Sequence, residues 1–129
     1  MIAIDANVLT RILVRDDAKQ TASADKLIHK GAWVSHVVLA ETVWVLAAVY
    51  DRTAAQLIVM LEMLLGHETL VVQDADTVTQ ALENFRRKPA LGFSDCLILE
   101  VARKSGHTPL GTFDKRLAKL PGTQLVKSN

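Results

Sequence analysis

Short apolar runs alternate along the chain with longer segments in which apolar residues recur every three or four positions. The short runs predict five strands, at residues 2–4, 33–35, 69–72, 109–112 and 124–126. The longer segments predict seven helices: 6–14, from a cap at Asp16 or Asp17 to about Lys30, 37–50, 54–65, from Asp74 or Asp76 to about Lys88, 95–105 and 115–120. This alternation is typical of the α/β class, so we predict an α/β/α sandwich with a mostly parallel central sheet of four to five short strands flanked by helices.

Several helix ends carry recognisable signals. Thr53 is the predicted N-cap of helix 54–65, and Ser94 is the predicted N-cap of helix 95–105. Helix 37–50 is apolar on nearly every face, which predicts that it is buried on most sides.

The composition bounds the class of protein. A chain of 129 residues, half of them apolar, is expected to form one domain over residues 1–129 with a packed core. Met1 leads straight into a strand without a basic region before it, so we expect no signal peptide. The apolar segment 37–50 is too short to span a bilayer. The one cysteine excludes an internal disulfide and fits the reducing cytoplasm, where we expect the protein to act.

The net charge of +1 is unevenly distributed. Residues 1–83 hold six Lys or Arg and eleven Asp or Glu, a net charge of −5, whereas residues 84–129 hold nine and three, a net charge of +6. A basic surface that encloses a few carboxylates fits a protein that binds a polyanion next to an acidic pocket, although many basic faces are merely solvated.

Four carboxylates occupy positions that indicate a site. Asp5 and Asp114 each follow a short apolar strand, at the edge of a parallel sheet where ligands bind. Glu41 is the only Lys, Arg, Asp or Glu between residues 31 and 50, and a buried lone carboxylate must be paired, protonated or bound to a cation. Asp95 lies in the first turn of its predicted helix, where the helix dipole favours a negative charge.

A cluster of acids without arginines between them indicates a metal ion. Carboxylate oxygens suit Mg²⁺, and Mn²⁺ accepts the same ligands. Zinc is disfavoured because the four histidines are scattered and the cysteine has no partner at ligand spacing. Such a site hydrolyses phosphodiesters through a metal-activated water. The alternative is that these acids are helix caps and surface charges.

Four segments carry a resemblance to a known family. The sequence resembles the PIN-domain ribonucleases, specifically the VapC-type toxins of type II toxin–antitoxin systems, over almost its whole length. The matching motifs are Ile4-Asp5-Ala6-Asn7-Val8-Leu9, Val38-Leu39-Ala40-Glu41-Thr42, Phe93-Ser94-Asp95-Cys96-Leu97-Ile98 and Gly111-Thr112-Phe113-Asp114-Lys115-Arg116-Leu117. Each motif is weak alone, but the four together in this order and spacing are specific.

The resemblance implies roles for six residues. The catalytic, metal-binding acids of the family fall on Asp5, Glu41, Asp95 and Asp114, and the polar residues that support them fall on Asn7 and Thr112. It further implies a Mg²⁺- or Mn²⁺-dependent endoribonuclease that cleaves tRNA or rRNA and inhibits translation. The implied partners are a cognate antitoxin and a second toxin subunit, in a homodimer or a higher toxin–antitoxin assembly. Ala6 and Cys96 depart from the usual Thr and Ala of the family, and both substitutes are small.

Basic residues flank the acids in the sequence. The candidates for contacts to RNA phosphates are Arg86, Arg87, Lys88, Lys115 and Arg116. The alternative interpretation is that these residues complement helix dipoles or are simply solvated.

Three further features have two interpretations each. Cys96 is interpreted as a small buried thiol, since no base lies at a spacing that would make it a nucleophile. His36 either contacts RNA or is an exposed loop histidine. Helix 54–65 carries Val59, Met60 and Met63 outside its core-facing stripe, so it is either buried between neighbours or covered by a second subunit or an antitoxin.

Other classes of function fit the chain less well. A haloacid-dehalogenase-type phosphohydrolase needs a second Asp two residues after the first, and this chain has Asn7 there. A response-regulator receiver needs paired early acids and a late Lys that cannot be placed. The remaining alternative is a catalytically silent PIN-like module that binds nucleic acid or serves as a scaffold.

Overall fold

Five short strands and six α-helices form the part of the chain that the computed structural model describes, residues 1–127. This chain divides into two compact units, residues 1–75 and the residues from 76 onward. The prediction of a single domain stays a prediction. Over the described residues, no helix is long and apolar enough to cross a membrane.

The first unit is a three-stranded parallel sheet with four helices. Its elements are β1 (Ile2–Ala3), α1 (Ala6–Val14), α2 (Ala18–Ile28), β2 (Ala32–Val34), α3 (His36–Ala48), α4 (Ala54–Leu65) and β3 (Leu70–Val72). The strand order is β1-β2-β3, and β2 pairs with β3 so that Val34 lies beside Val72. Side chains at α4 residues 57, 61 and 64 are buried because they recur at helical spacing on one face.

Helix starts in this unit are fixed by side-chain caps. The Thr53 hydroxyl accepts a hydrogen bond from the Gln56 amide, and the Gln56 side chain accepts one from the Thr53 amide. This reciprocal pair is a capping box, which satisfies two amides that would otherwise lack partners at the start of α4. The predicted bounds of helices 6–14 and 54–65 coincide with α1 and α4.

The strands of the first unit bury one face only. Ala32 and Val34 of β2 are buried, whereas Trp33 between them is 37% exposed. Ile2 in β1 is also exposed and only Ile4, just after the strand, is buried. The apolar run at residues 2–4 predicts a buried strand, and this prediction is wrong: the strand has two residues, both exposed, and the buried Ile4 lies just after it.

Helix α3 is two-sided, contrary to the prediction of burial on most sides. Its inner face carries Leu39, Val43 and Leu46, all buried. Its outer face carries Glu41 and Trp44, and Trp44 is 64% exposed. Helix α3 has apolar residues on all faces but is buried on one face only, because only that side packs against the core.

The second unit contains a two-stranded parallel sheet and two long helices. Its elements are α5 (Ala75–Arg87), a 3-10 turn (Pro89–Leu91), α6 (Phe93–Lys104), β4 (Leu110–Thr112), a 3-10 turn (Leu117–Lys119) and β5 (Thr123–Leu125). Leu82 and Phe85 of α5 and Phe93 and Leu97 of α6 are buried, and the Phe85 and Phe93 rings pack edge to face.

Two local predictions for the second unit are wrong. Helix 115–120 is only a 3-10 turn, because Pro121 and Gly122 follow before a longer helix can form. Helix α6 begins at Phe93 with Gly92 as its N-cap residue, so Ser94 lies inside the first turn and does not cap it. The α/β class and the parallel strand direction are as predicted, and the five strands hydrogen-bond as groups of three and two.

Candidate active site

Asp5 is placed by the first strand and fixed by the helix that follows. It is the N-cap of α1, and its Oδ1 accepts a hydrogen bond from the Val8 amide at 3.0 Å. This bond uses one carboxylate oxygen and leaves Oδ2 outside the cap. The exposed Asp5 side chain is therefore a helix cap that still offers an oxygen to a ligand.

Glu41 lies on α3, which starts directly after β2 with Ser35 as its N-cap. Helix α1 packs against α3, so Asp5 and Glu41 belong to neighbouring helices that both start at the carboxyl edge of the sheet. Glu41 is exposed, so the argument that it must be paired, protonated or metal-bound because it is buried does not apply. Only its place in the motif at residues 38–42 supports the assignment of Glu41 as a metal ligand.

Asp95 and Asp114 interact electrostatically in the second unit. Burial raises the pKa of the Asp95 carboxyl above its ordinary value, and the negative charge of Asp114 raises it further. Asp95 lies in the first turn of α6, and Asp114 follows β4. A carboxylate whose ionisation is disfavoured by burial and by a neighbouring negative charge is stabilised when a cation lies beside it.

The loop that carries Asp114 is held by its own hydrogen bonds. The Asp114 Oδ1 accepts hydrogen bonds from the amides of Arg116 at 2.8 Å and Leu117 at 3.2 Å. The Asp114 amide in turn donates to the Thr112 hydroxyl at 3.0 Å. Thr112 thus contacts the backbone of Asp114, which is a means of orienting the carboxylate.

The donor set consists of carboxylate oxygens, which suits a hard divalent cation such as Mg²⁺ or Mn²⁺. Within residues 1–127, no group of three or more His, Cys, Asp or Glu side chains is arranged to hold a metal ion. The set of four ligands therefore stays a prediction, and within it Asp95 and Asp114 lie close enough for the charge of Asp114 to raise the pKa of Asp95.

The predicted RNA-contacting residues are exposed in the second unit. Arg86 lies 3.4 Å from Glu83, and Arg87 Nη2 donates to Asn84 Oδ1 at 2.6 Å. Lys115 and Arg116 follow Asp114 directly in the sequence. Their contacts with RNA stay predictions.

The remaining candidates have defined surroundings. Asn7 lines a cavity of about 390 Å³ between α1 and α2, and its support of the acids stays a prediction. His36 is not a loop residue, because it begins α3 and its Nε2 lies 2.7 Å from the Gln73 carbonyl oxygen. Cys96 is fully buried, and burial raises the pKa of its thiol to about 11, which fits an inert core residue.

Sequence reasoning missed a buried polar network in the second unit. Glu100 is only 8% exposed and accepts hydrogen bonds from Asn84 and Arg103. The signal was present, since Glu100 is the only charged residue from 96 to 102. Glu41 and Glu100 are both flanked by apolar residues in the sequence, but Glu100 is the one that is buried and paired.

Comparisons with known proteins identify the family. A model of the PIN domain matches residues 2–122, so this chain belongs to the PIN-domain family, and the predicted PIN fold is confirmed. Among solved structures, VapC20 of Mycobacterium tuberculosis, a Sarcin-Ricin loop cleaving toxin, is similar to this chain. The two share 21% sequence identity over 99% of this chain and 100% of that chain, with a TM-score of 0.43. No curated relative matches this chain.

Proposed function

We propose that this protein is a Mg²⁺- or Mn²⁺-dependent endoribonuclease of the cytoplasm and the toxin component of a VapBC-type toxin–antitoxin pair. The observation that carries the proposal is the match to the PIN domain over residues 2–122, in a chain where Asp5 and Asp114 follow strands and are each held by backbone amides. Its substrate class is tRNA or rRNA, and its cleavage inhibits translation.

The proposed ligands of the metal are Asp5, Glu41, Asp95 and Asp114. When bound, the divalent ion supplies a water of lowered pKa and stabilises the oxygens of the phosphate that is cleaved. The residues of this chain contribute fixed negative charge: the α1 amide of Val8 holds Asp5, and two amides hold Asp114. No protein nucleophile is required, which agrees with the buried, inert Cys96.

Thr112 and Asn7 are the proposed positioning residues. The hydrogen bond from the Asp114 amide to the Thr112 hydroxyl ties the end of β4 to the turn that carries the carboxylate. Loss of the hydroxyl would leave the charge in place and loosen its orientation.

The test is cleavage of total RNA by the purified protein in Mg²⁺ or Mn²⁺, with EDTA and with Asp5→Asn as controls. We expect discrete fragments that disappear in both controls, because each removes the cation or one of its ligands. Folded Asp5→Asn that still cleaves would show that Asp5 is not a ligand. A folded wild-type protein that binds RNA and cleaves none would favour the alternative, a catalytically silent PIN-like module.

Partners are proposed on the outer face of α4. Val59 and Met63 are 55% and 61% exposed, and with Leu13, Arg52 and Met60 they line a groove of about 420 Å³. Single exposed apolar residues are common, but a contiguous apolar surface of this kind often marks a protein interface. We assign this face to contact with a second copy of the chain or with the cognate antitoxin.

A further inference from the structure

A second polar cluster lies between α5 and α6, built on residues that the proposed chemistry does not use. The buried Glu100 carboxylate accepts hydrogen bonds from Asn84 Nδ2 at 2.9 Å and from Arg103 Nε at 3.2 Å. Asn84 Oδ1 accepts a hydrogen bond from Arg87 Nη2 at 2.6 Å. One amide and one carboxylate therefore connect two guanidinium groups, one at the end of each helix.

The Arg103 guanidinium is held a second time, by the turn before β5. Its Nη2 donates to the Pro121 carbonyl at 2.8 Å. Gly122 has φ +84°, and a Cβ at this position would lie 2.8 Å from Arg103 Nη1. The guanidinium is thus packed on a turn that only glycine leaves open, and it cannot be described as a freely solvated side chain.

The cluster lines an open cavity of about 480 Å³. Three cationic side chains, Arg87, Lys88 and Arg103, face one carboxylate, Glu100, so the lining carries a net charge of +2. A neighbouring cavity of about 370 Å³ shares Arg103 and Glu100 but adds Lys104 and Asp76, which makes it neutral. The positive charge is therefore concentrated in the first of these cavities, near the C-terminus of α5.

The geometry suits an anion with paired oxygens, and the phosphate is the one that an RNA substrate carries. Arginine has five N–H donors in a planar fork, and Arg87 and Arg103 use only some of theirs within the network. Planar forks whose positions are fixed by neighbours bind phosphate oxygens in pairs and lose little entropy in doing so. Glu100 does not oppose this, because its charge is neutralised by Arg103 and its other partner is an amide.

We propose that the cavity of about 480 Å³ binds a backbone phosphate of the RNA substrate through Arg87, Lys88 and Arg103. The inference rests on the proposed ribonuclease function and adds a substrate subsite to it. Glu100 follows Asp95 by five residues on α6, which places them about 140° apart around the helix and about 7.5 Å apart along it. The phosphate that binds here is therefore a different one from the phosphate that is cleaved.

The test compares two cationic residues that each lie in the last turn of a helix, Arg87 of α5 and Lys26 of α2. Binding of a short fluorescein-labelled single-stranded RNA is measured in EDTA, so that no cleavage occurs, for Arg87→Gln and for the matched control Lys26→Gln. Both side chains are exposed and both variants lose one positive charge, but only Arg87 lines the cavity. We expect roughly tenfold weaker binding for Arg87→Gln, a smaller loss for Lys26→Gln, and a log–log salt slope that falls by about 0.7 for Arg87→Gln.

A second variant removes no charge. Gly122→Ala places a methyl group where the Arg103 guanidinium lies, so we expect the side chain to shift and RNA binding to weaken while circular dichroism shows a folded protein. Equal losses for Arg87→Gln and Lys26→Gln, with unchanged binding by Gly122→Ala, would overturn the proposal. It is also overturned if inorganic phosphate binds in calorimetry in an Arg87-dependent way but RNA affinity does not depend on Arg87.

Parallel cleavage assays separate this proposal from the one it rests on. If the protein cleaves RNA in Mg²⁺ but Arg87→Gln and Lys26→Gln bind RNA equally well, the subsite alone is overturned. A folded wild-type protein that neither binds nor cleaves RNA would overturn both.

Discussion

Asp5 performs a structural role that can be separated from its proposed chemical role. Its Oδ1 caps α1 through the Val8 amide, and an asparagine side chain can make the same bond. We expect Asp5→Asn to change the free energy of unfolding by a few tenths of a kcal/mol, and Asp5→Ala to lower it by about 1 kcal/mol.

Both Asp5 variants should lose cleavage, because both lose the negative charge. Denaturant unfolding and the RNA assay measure the two effects on the same preparations. An alanine variant as stable as the asparagine variant would show that the cap contributes little.

Asp95 gives a pH dependence of known sign. The pKa of Asp95 is raised in the folded protein by burial and by the charge of Asp114, so the folded state binds this proton more readily than the unfolded state does. The contribution of Asp95 to stability therefore improves as pH falls through its raised pKa and is unfavourable above it.

We expect Asp95→Asn to melt at the same or a higher temperature than wild type at neutral pH in EDTA, and the difference to shrink as pH falls. Melting curves over a pH series measure this. A variant less stable than wild type at neutral pH would mean that the carboxylate is held by a favourable contact instead.

At the scale of the element, the sequence predicted the helices better than it predicted their surroundings. The Thr53 cap gave the start of α4 because such a signal acts within one turn. Burial depends on what packs against a helix, so the apolar character of α3 gave no warning that Trp44 is exposed.

For the acids too, the sequence predicted positions along the chain but did not predict burial. The positions of Asp5 and Asp114 after strands could be predicted, since both follow short apolar runs. The contrast between Glu41 and Glu100 could not be predicted, because both are flanked by apolar residues and only packing distinguishes the exposed one from the buried one.

At the scale of the whole molecule, the prediction concerns association. If the outer face of α4 contacts a second copy, Met63→Lys should convert a dimer to a monomer in sedimentation velocity, because a buried charge replaces an apolar contact. Ile98→Lys is the matched control, since Ile98 is also exposed, at 52%, but lies on α6. A Met63→Lys protein that is still dimeric would exclude this face from the self-interface and leave the antitoxin as its proposed partner.

The capping box at the start of α4 has a practical consequence. Thr53 and Gln56 stabilise a helix that carries none of the four acids, and loss of such a cap costs about 1 kcal/mol. Because natural proteins are only marginally stable, we expect that loss to lower the melting temperature by several degrees and to leave the site chemistry unchanged. Thr53→Ala is therefore a natural starting point for a temperature-sensitive allele, active in cool cultures and switched off by warming.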